Sequence, residues 1–348
     1  MKSIEFPETT KPRIGSDYSP TCSVVVCTRN RPTQLDQCLT SLAALNYPAY
    51  EVVIVDNAPG DQRSREVALR WGVRYLTEPA PGLSRARNCG ARASSSEIVA
   101  YLDDDALAEP NWLSVLVRDF EDPRTMAVTG AILPTCPSNQ EAQQRKLPTP
   151  AAGRSQRRAV DRETPGWFEL ANFGGIGDGS NMAFRRCAFD VWPGFEENLG
   201  RGTILNGGEE HCAFYTLIEL GYRIVYNPAA VIRHPDPRTA DEVRKRHLRL
   251  LAIAAAYITR LAVEHPSSRR PLAHYIFDRL RGTRRPWTDR PAKAGPTLVP
   301  RWLTLLTMLS GPWIYLRSRS AAKPYAQQSK IPAQNLQASP IPRAAVHD

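Results

Sequence analysis

No two cysteines in this chain are spaced CxxC, and no GxGxxG follows the first β-branched run. No apolar stretch reaches the roughly 20 residues that span a bilayer. Each absence excludes something. The seven cysteines (Cys22, Cys27, Cys38, Cys89, Cys136, Cys187, Cys212) form an odd set, several of them inside apolar runs. That pattern argues against a zinc knuckle or a disulfide scaffold and for reduced core residues in a reducing compartment, the cytosol by default. Residues 1–20 lack the apolar centre of a signal peptide. The nearest candidate for a span, WLTLLTMLSGPWIYL at 302–316, is too short and is broken by Gly311-Pro312, so it can lie on a membrane surface but is not expected to cross it. Without the glycine fingerprint, a dinucleotide-dependent dehydrogenase is disfavoured. No internal repeat is evident.

What is present is the composition of an ordinary globular protein, 42% hydrophobic and 23% charged over 348 residues. That length suits one large α/β domain carrying extensions. The net charge is +10, and from about Arg233 onward Arg and Lys far outnumber Asp and Glu. Nucleic acid, a phospholipid surface and a phosphorylated substrate are all electrostatically reasonable partners for such a chain.

CSVVVCT at 22–28 reads as a buried parallel strand, and residues 32–45 then carry apolar side chains at helical spacing (Leu35, Cys38, Leu39, Leu42, Leu45). The alternation continues: EVVIVDN, a helix over 63–71, a strand over 73–77, a helix over 83–94, and the strand EIVAYLDDD. Such a pattern implies right-handed βαβ crossovers and a mostly parallel sheet covered on both faces, with ligands at the carboxyl ends of the strands. Polar residues cluster at those ends: Thr28-Arg29-Asn30, Asp56-Asn57 and Asp103-Asp104-Asp105. A further strand is expected over 126–133, then a long mobile loop over 134–166, rich in Pro, Ser, Gln and Arg. Beyond it come a helix over 209–220, a strand at RIVYNP, and basic helices over 239–263 and 272–281.

Three features carry chemistry. Adjacent carboxylates at a buried strand end repel one another, so the triplet in LDDDA calls for a cation. In an extended chain Asp103 and Asp105 lie on one side and address one ion; a divalent metal so held can bridge the two phosphates of a nucleotide. Taken alone, the triplet also fits a solvated acidic turn. Glu209-Glu210 follows Gly207-Gly208 and opens a helix; this is favourable charge at a helix N-terminus, or a general base beside an acceptor hydroxyl. His234, at a strand exit in VIRHPDP, either completes a metal site or is an ordinary surface histidine.

In their order and spacing, CSVVVCTRNRPTQLDQCLTSL, EVVIVDN, PGLSRARNCGARASSSEIVAYLDDDA, GSNMAFRR, GGEEHCAFYTLIELGY and IVYNPAAVIRHP resemble the family 2 nucleotide-sugar glycosyltransferases over about residues 21–238. The resemblance implies a GT-A fold, a Rossmann-like mostly parallel central sheet with helices on both faces, here with a C-terminal helical extension. It implies a hexosyltransferase-like enzyme that moves a sugar from a nucleotide diphosphate donor to an acceptor hydroxyl with inversion, assisted by Mg²⁺ or Mn²⁺. Thr28, Asn30 and Asp56 would line the nucleobase and ribose pocket. Arg87 and Asn88, with Arg85, would hold the nucleotide, and Asp104 would belong to the same donor site. Asp103 would touch the ribose or the metal, Asp105 would ligate the metal, and His234 would bind the metal or diphosphate. Glu210 matches the family's catalytic aspartate, with Glu209 beside it for the acceptor; the usual Glu-Asp pair is Glu-Glu here, which leaves the choice of base between them open. The glycine-rich stretch 172–181 is expected in the acceptor floor.

The expected organisation is a flexible arm over 1–20, the catalytic domain over 21–238, a basic and mainly helical extension over 239–321, and a disordered tail over 322–348. Arg244, Lys245, Arg246, Arg249, Arg269, Arg270, Arg317 and Arg319 with the 302–316 segment suit a peripheral contact with anionic membrane, on the inner face of the cell membrane; a solvated basic face is the other reading. The acceptor is then a saccharide, a lipid-linked molecule or a small molecule. Two other functions fit parts of the pattern. A basic binding module would not need the acidic cluster, so no nucleic acid partner is expected; a nucleotidyltransferase would have no use for the paired glutamates and His234.

Overall fold

The computed structural model describes residues 18–135, 156–235, 240–281 and 299–321. The expected arm up to residue 17, most of the expected 134–166 loop and the expected tail lie outside them.

The β-branched runs form one half of a nine-stranded sheet. β1 (Cys22–Thr28), β2 (Tyr50–Asn57), β3 (Arg74–Glu78) and β4 (Ile98–Asp103) pair in parallel in the order β3-β2-β1-β4. The sheet continues through β8 (Asn181–Arg185), β6 (Thr125–Pro134), β9 (Arg223–His234) and the short β5 (Leu107–Ala108). β8 is antiparallel to both its neighbours, so β6 and β9 again run with β1, as expected of a mostly parallel sheet. Residues 158–160, placed in a loop by their composition, form β7, antiparallel to β9. β9 is longer than RIVYNP: it carries Pro228 across a register irregularity, where the partner of β6 jumps from Asn227 to Val231. A proline, lacking an N–H, is tolerated in a strand at such a break.

Alternate side chains of each strand go to opposite faces, and both faces are buried. Val25, Val53, Val55, Val99 and Tyr101 pack with α3 (Leu83–Ala93) and α7 (Glu209–Glu219). Val24, Val26, Ile54 and Leu102 pack with α1 (Pro32–Ala43), α2 (Arg63–Arg70) and α4 (Trp112–Arg118). Pro32 starts α1 at the one helical position where its missing N–H costs nothing. Two short helices, α5 (Trp167–Asn172) and α6 (Ala188–Val191), flank β8 in sequence. Cys22, Cys38 and Cys89 are buried free thiols, as the apolar context suggested, whereas Cys187 is exposed.

The extension comprises α8 (Ala240–Glu264), α9 (Arg269–Leu280), α10 (Arg301–Leu309) and α11 (Gly311–Ala321). Ala256, Tyr257, Leu261 and Leu272 enter the same core cluster as the sheet, and the Tyr257 hydroxyl donates to Asn172 Oδ1 at 2.9 Å. The 302–316 segment breaks between α10 and α11 at Ser310, ahead of Gly311-Pro312. No described helix is long and apolar enough to cross a membrane.

Asn181 ties the far half of the sheet together. Its Nδ2 donates to the carbonyls of Ala131 and Ala230, each at 2.9 Å, and its Oδ1 accepts from the Trp112 indole at 2.8 Å. The side chains of Asn181 and Asn172, at the two ends of the 172–181 stretch, are both enclosed and bonded to the scaffold. Since each buried polar group left unpaired costs about 1–3 kcal/mol, Asn181→Ala is expected to lose about 3 kcal/mol or more in urea unfolding; a loss under about 1 kcal/mol would contradict this role.

Candidate active site

Strand register gathers the site. Thr28 lies beside Asp56 and Cys27 beside Asp103 across β2, β1 and β4, while His234 closes β9 opposite Pro134 of β6. Residues at the carboxyl ends of these strands therefore face one edge, where ligands bind in open α/β sheets.

The acidic triplet divides its work. β4 ends at Asp103, and Asp104 and Asp105 sit in a turn closed by the Ala106 N–H on the Asp103 carbonyl at 3.1 Å. It is this turn, and not an extended chain, that brings Asp103 and Asp105 round to one neighbour. That neighbour is His234, whose Nε2 lies 3.0 Å from Asp105 Oδ1 and 3.8 Å from Asp103 Oδ2. Asp104 turns the other way: it accepts from the Thr28 hydroxyl at 2.7 Å and pairs with Arg31 at 3.1 Å, and Arg31 also reaches Asp105 at 3.0 Å. Burial pushes Asp104 up to about 6 against the pull of Thr28 and Arg31. Burial would raise Asp105 too, but the hydrogen bond and charge of His234, with Arg31 and Arg201, hold it below its ordinary value.

The cluster fits a divalent cation. Asp103, Asp105 and His234 each offer one donor atom, all within 4.8 Å of one another. His234 Nδ1 lies 2.9 Å from the Pro235 carbonyl; with a proton kept there, the ring can give up the Nε2 proton that meets Asp105 and turn that lone pair to a metal.

The glutamate pair opens α7 from Gly208, whose φ of 89° is left-handed and suits glycine. Glu209 turns inward to Arg87, at 2.7 Å. Burial first, and the charge of Glu210 next, hold Glu209 up at about 7 despite that guanidinium. Glu210 remains partly exposed, and burial, with a contribution from Asp178, raises it above the ordinary glutamate value while Arg87 draws it down.

Arg87 joins the two acidic groups. Only 3% of its side chain is exposed; besides Glu209 it reaches Asp103 at 3.7 Å, donates to the Gly179 carbonyl at 2.9 Å and lies over the Phe195 ring at 5.5 Å. The rest of the SRARN motif, expected at the nucleotide, reaches a neighbouring loop of the protein. Asn88 exchanges two hydrogen bonds with the backbone of Phe195, both 2.8 Å; Arg85 pairs with Glu197 at 2.7 Å; the Ser84 hydroxyl donates to the Leu199 carbonyl at 2.9 Å. These three fasten the 195–199 loop to α3.

At the far side, Asp56 Oδ2 accepts from Tyr75 at 2.9 Å, while its Oδ1 is buried without a partner. A buried acceptor left bare at a strand end suits an incoming N–H donor, such as that of a nucleobase. Asn30, in a left-handed backbone (φ 55°), accepts from the Gly60 N–H at 2.8 Å and so shapes the adjoining loop. Arg31 and Tyr75 were not singled out in the sequence. Arg31 carried a signal, since it directly follows the polar strand end Thr28-Arg29-Asn30; Tyr75, at an ordinary strand position, carried none.

The model of glycosyl transferase family 2 matches residues 23–192. The chain belongs to that family. This family 2 glycosyltransferase is 27% identical over 231 residues to glucosyl-dolichyl phosphate glucuronosyltransferase of Haloferax volcanii, covering 61% of this chain and 68% of that one. It is 26% identical over 257 residues to pre-mycofactocin glycosyltransferase of Mycobacterium tuberculosis, covering 72% and 49%. To succinoglycan biosynthesis protein ExoM of Rhizobium meliloti it is 30% identical over 224 residues, covering 61% and 66%. It therefore spans about half of the second relative and just under two thirds of the third. The fold is shared with the mannosyltransferase PcManGT of Pyrobaculum calidifontis, solved with GDP-Man and Mn²⁺ (TM-score 0.50, 19% identity, 87% of this chain and 74% of that one). It is shared as well with S. aureus TarS 1-349, solved with UDP-GlcNAc (TM-score 0.52, 14% identity, 86% and 90%). Both bear out the expected GT-A architecture.

Asn88→Ala separates a scaffold role from a ligand contact. With two buried backbone groups left unpaired, the variant is expected to lose about 2–4 kcal/mol of stability. The folded variant should bind nucleoside diphosphate within about threefold of the parent; a much larger loss of affinity at unchanged stability would return Asn88 to the donor site.

Proposed function

We propose that the protein is an inverting, metal-assisted transferase that moves a sugar from a nucleoside diphosphate sugar to an acceptor hydroxyl. The observation that carries this reading is the meeting, through Arg87, of a cation-type cluster (Asp103, Asp105, His234) and a desolvated glutamate pair at one edge of the sheet. Asp56 Oδ1 accepts an N–H of the base, and Thr28 and Asn30 border the base and ribose. Asp103, Asp105 and His234 hold Mg²⁺ or Mn²⁺, which when bound offsets the charge of the departing diphosphate. Arg87 orients Glu209 and Asp103, and Glu209 in turn offsets the charge of Arg87. Glu210 takes the proton of the acceptor hydroxyl as it attacks the anomeric carbon. One base and no second carboxylate nucleophile correspond to a single displacement, hence inversion.

A nucleoside diphosphate sugar as donor is supported by the solved neighbours, which carry GDP-Man and UDP-GlcNAc. Relatives described as acting on glucosyl-dolichyl phosphate or in succinoglycan biosynthesis support an acceptor in cell-surface polysaccharide, glycolipid or related glycoconjugate synthesis.

A base must be ionised to act, and Glu210 sits above its ordinary value of 4.5. Transfer is therefore expected to fall as pH drops through a point above 4.5, full activity lying on the alkaline side, and Glu210→Gln should lower kcat by about a thousandfold with donor affinity kept. Full activity in that variant, or an acid limb that Glu210→Asp leaves unmoved, would remove Glu210 from the role.

Metal dependence is read separately. Nucleoside diphosphate with Mn²⁺ is expected to raise the thermal midpoint of the parent, since a ligand of the native state stabilises it by mass action. Asp105→Ala should abolish the Mn²⁺-dependent part of that shift and the transfer activity. A folded Asp105→Ala protein that kept both would contradict the cation site.

A further inference from the structure

Among the described elements, α10 is built inside out. Trp302, Leu305, Leu306 and Leu309 fall at i, i+3, i+4 and i+7, the spacing that in a globular helix faces the core. Here all four are 57% to 74% exposed. The following helix is anchored by its other side: Gly311 lies so close to Ala255 of α8 that a Cβ would come within 2.6 Å of its backbone, and Tyr315 donates to Glu264 at 3.1 Å. That seating turns Trp313 and Leu316 outward, 59% and 57% exposed. Each of the two helices thus presents apolar side chains, a tryptophan among them, to the outside. Surface of this kind on a soluble domain marks something that covers it.

Charge says what covers it. Residues 299–321 contain no Asp or Glu, and Arg317, stacked over Trp313 at 4.6 Å, borders the apolar face, with Arg319 exposed on the same helix. Trp313, Leu316, Arg317 and Ser320 share a shallow groove with Ile204. Ile204 belongs to the loop that leads into Glu209 and Glu210, and three residues before it stands Arg201. Arg249 lies near enough to Arg201 and to Arg246 to be repelled by both, and burial with that repulsion holds it below its ordinary value. Arg201 is held at the rim of the site: its carbonyl accepts from the Leu83 N–H at 2.9 Å, and a Cβ on its neighbour Gly200 would lie 3.2 Å from the Glu209 carboxyl carbon. A cationic patch therefore links the apolar face to the rim of the active site.

We infer that α10 and α11 dock the enzyme on an anionic lipid bilayer, apolar side chains in the headgroup boundary and arginines against lipid phosphates, with the 200–208 loop and the active-site mouth held beside the membrane. Tryptophan, leucine and arginine so arranged are what an interfacial helix needs, and each helix is too short to span. Resting on the glycosyl-transfer reading, this placement assigns the enzyme an amphiphilic acceptor whose hydroxyl is presented from the membrane surface.

The test is co-sedimentation of the full chain with vesicles of phosphatidylcholine alone or mixed with phosphatidylglycerol, alongside sedimentation velocity without lipid. The parent is expected to bind the mixed vesicles, to release as salt rises, and to ignore phosphatidylcholine alone. The pair Leu305→Glu and Leu309→Glu, both at solvent, should weaken vesicle binding by about tenfold or more while the thermal midpoint and nucleoside diphosphate binding stay unchanged. Absence of binding to mixed vesicles, equal binding to both vesicle types, or equal binding by the variant overturns the proposal. So does a parent dimer that the variant dissolves without any vesicle binding, which would give the face to a second copy. Because none of these readouts needs catalysis, they stand or fall apart from the transfer reaction.

Discussion

Arg87 is a fully charged group with almost no access to water. A buried guanidinium is tolerated only when its charge and its N–H groups are matched, and here the matching groups come from parts of the site that lie far apart in the sequence. Asp103 ends a central strand, Glu209 starts a helix over a hundred positions later, and the Gly179 carbonyl fills the remaining direction. The guanidinium thereby fixes the distance between the cation-type cluster and the glutamate pair. It also gives the two carboxylates unequal surroundings: Glu209 is neutralised by a partner and sealed off, and Glu210 is left desolvated but reachable.

The scaffold is arranged to keep that constraint rigid. α3, which carries Arg87, packs against β1 through Gly90, where a Cβ would fall 2.4 Å from Val25; its polar side chains Ser84, Arg85 and Asn88 then hold the 195–199 loop down. Phe195, so positioned, supplies the ring over Arg87 and stands edge-on to Tyr101 at 5.4 Å. The helical extension reaches the same spot from outside, with Tyr257 in the common core and 3.3 Å from where a Cβ on Gly208 would stand. Thus the extension braces the start of α7.

Much of this was legible beforehand, for local reasons. β1, β2 and β4 announce themselves because a strand buried on both faces must be a short β-branched run, and α1 because its apolar side chains repeat at helical spacing. The triplet at 103–105 and His234 stood out because charge at a strand end needs a partner. What was not legible depends on contacts between distant segments. β7 is a strand only because the edge of β9 is there to pair with it. The contacts of Asn88 and Arg85 with the 195–199 loop leave no mark on the motif; Asp104 shares a triplet with two cation-type carboxylates, yet Thr28 and Arg31 turn it away. The pairing of Arg87 with Glu209 has no trace in the spacing of either motif.

Mutual neutralisation of Arg87 and Glu209 is best measured by a double-mutant cycle on unfolding free energy with Arg87→Met and Glu209→Gln. Each single variant strands a buried charge and is expected to lose about 3–5 kcal/mol, while the double variant should lose less than the sum by about 2–3 kcal/mol. Additive losses would mean that the two groups do not depend on each other, and that the site is held together by something else.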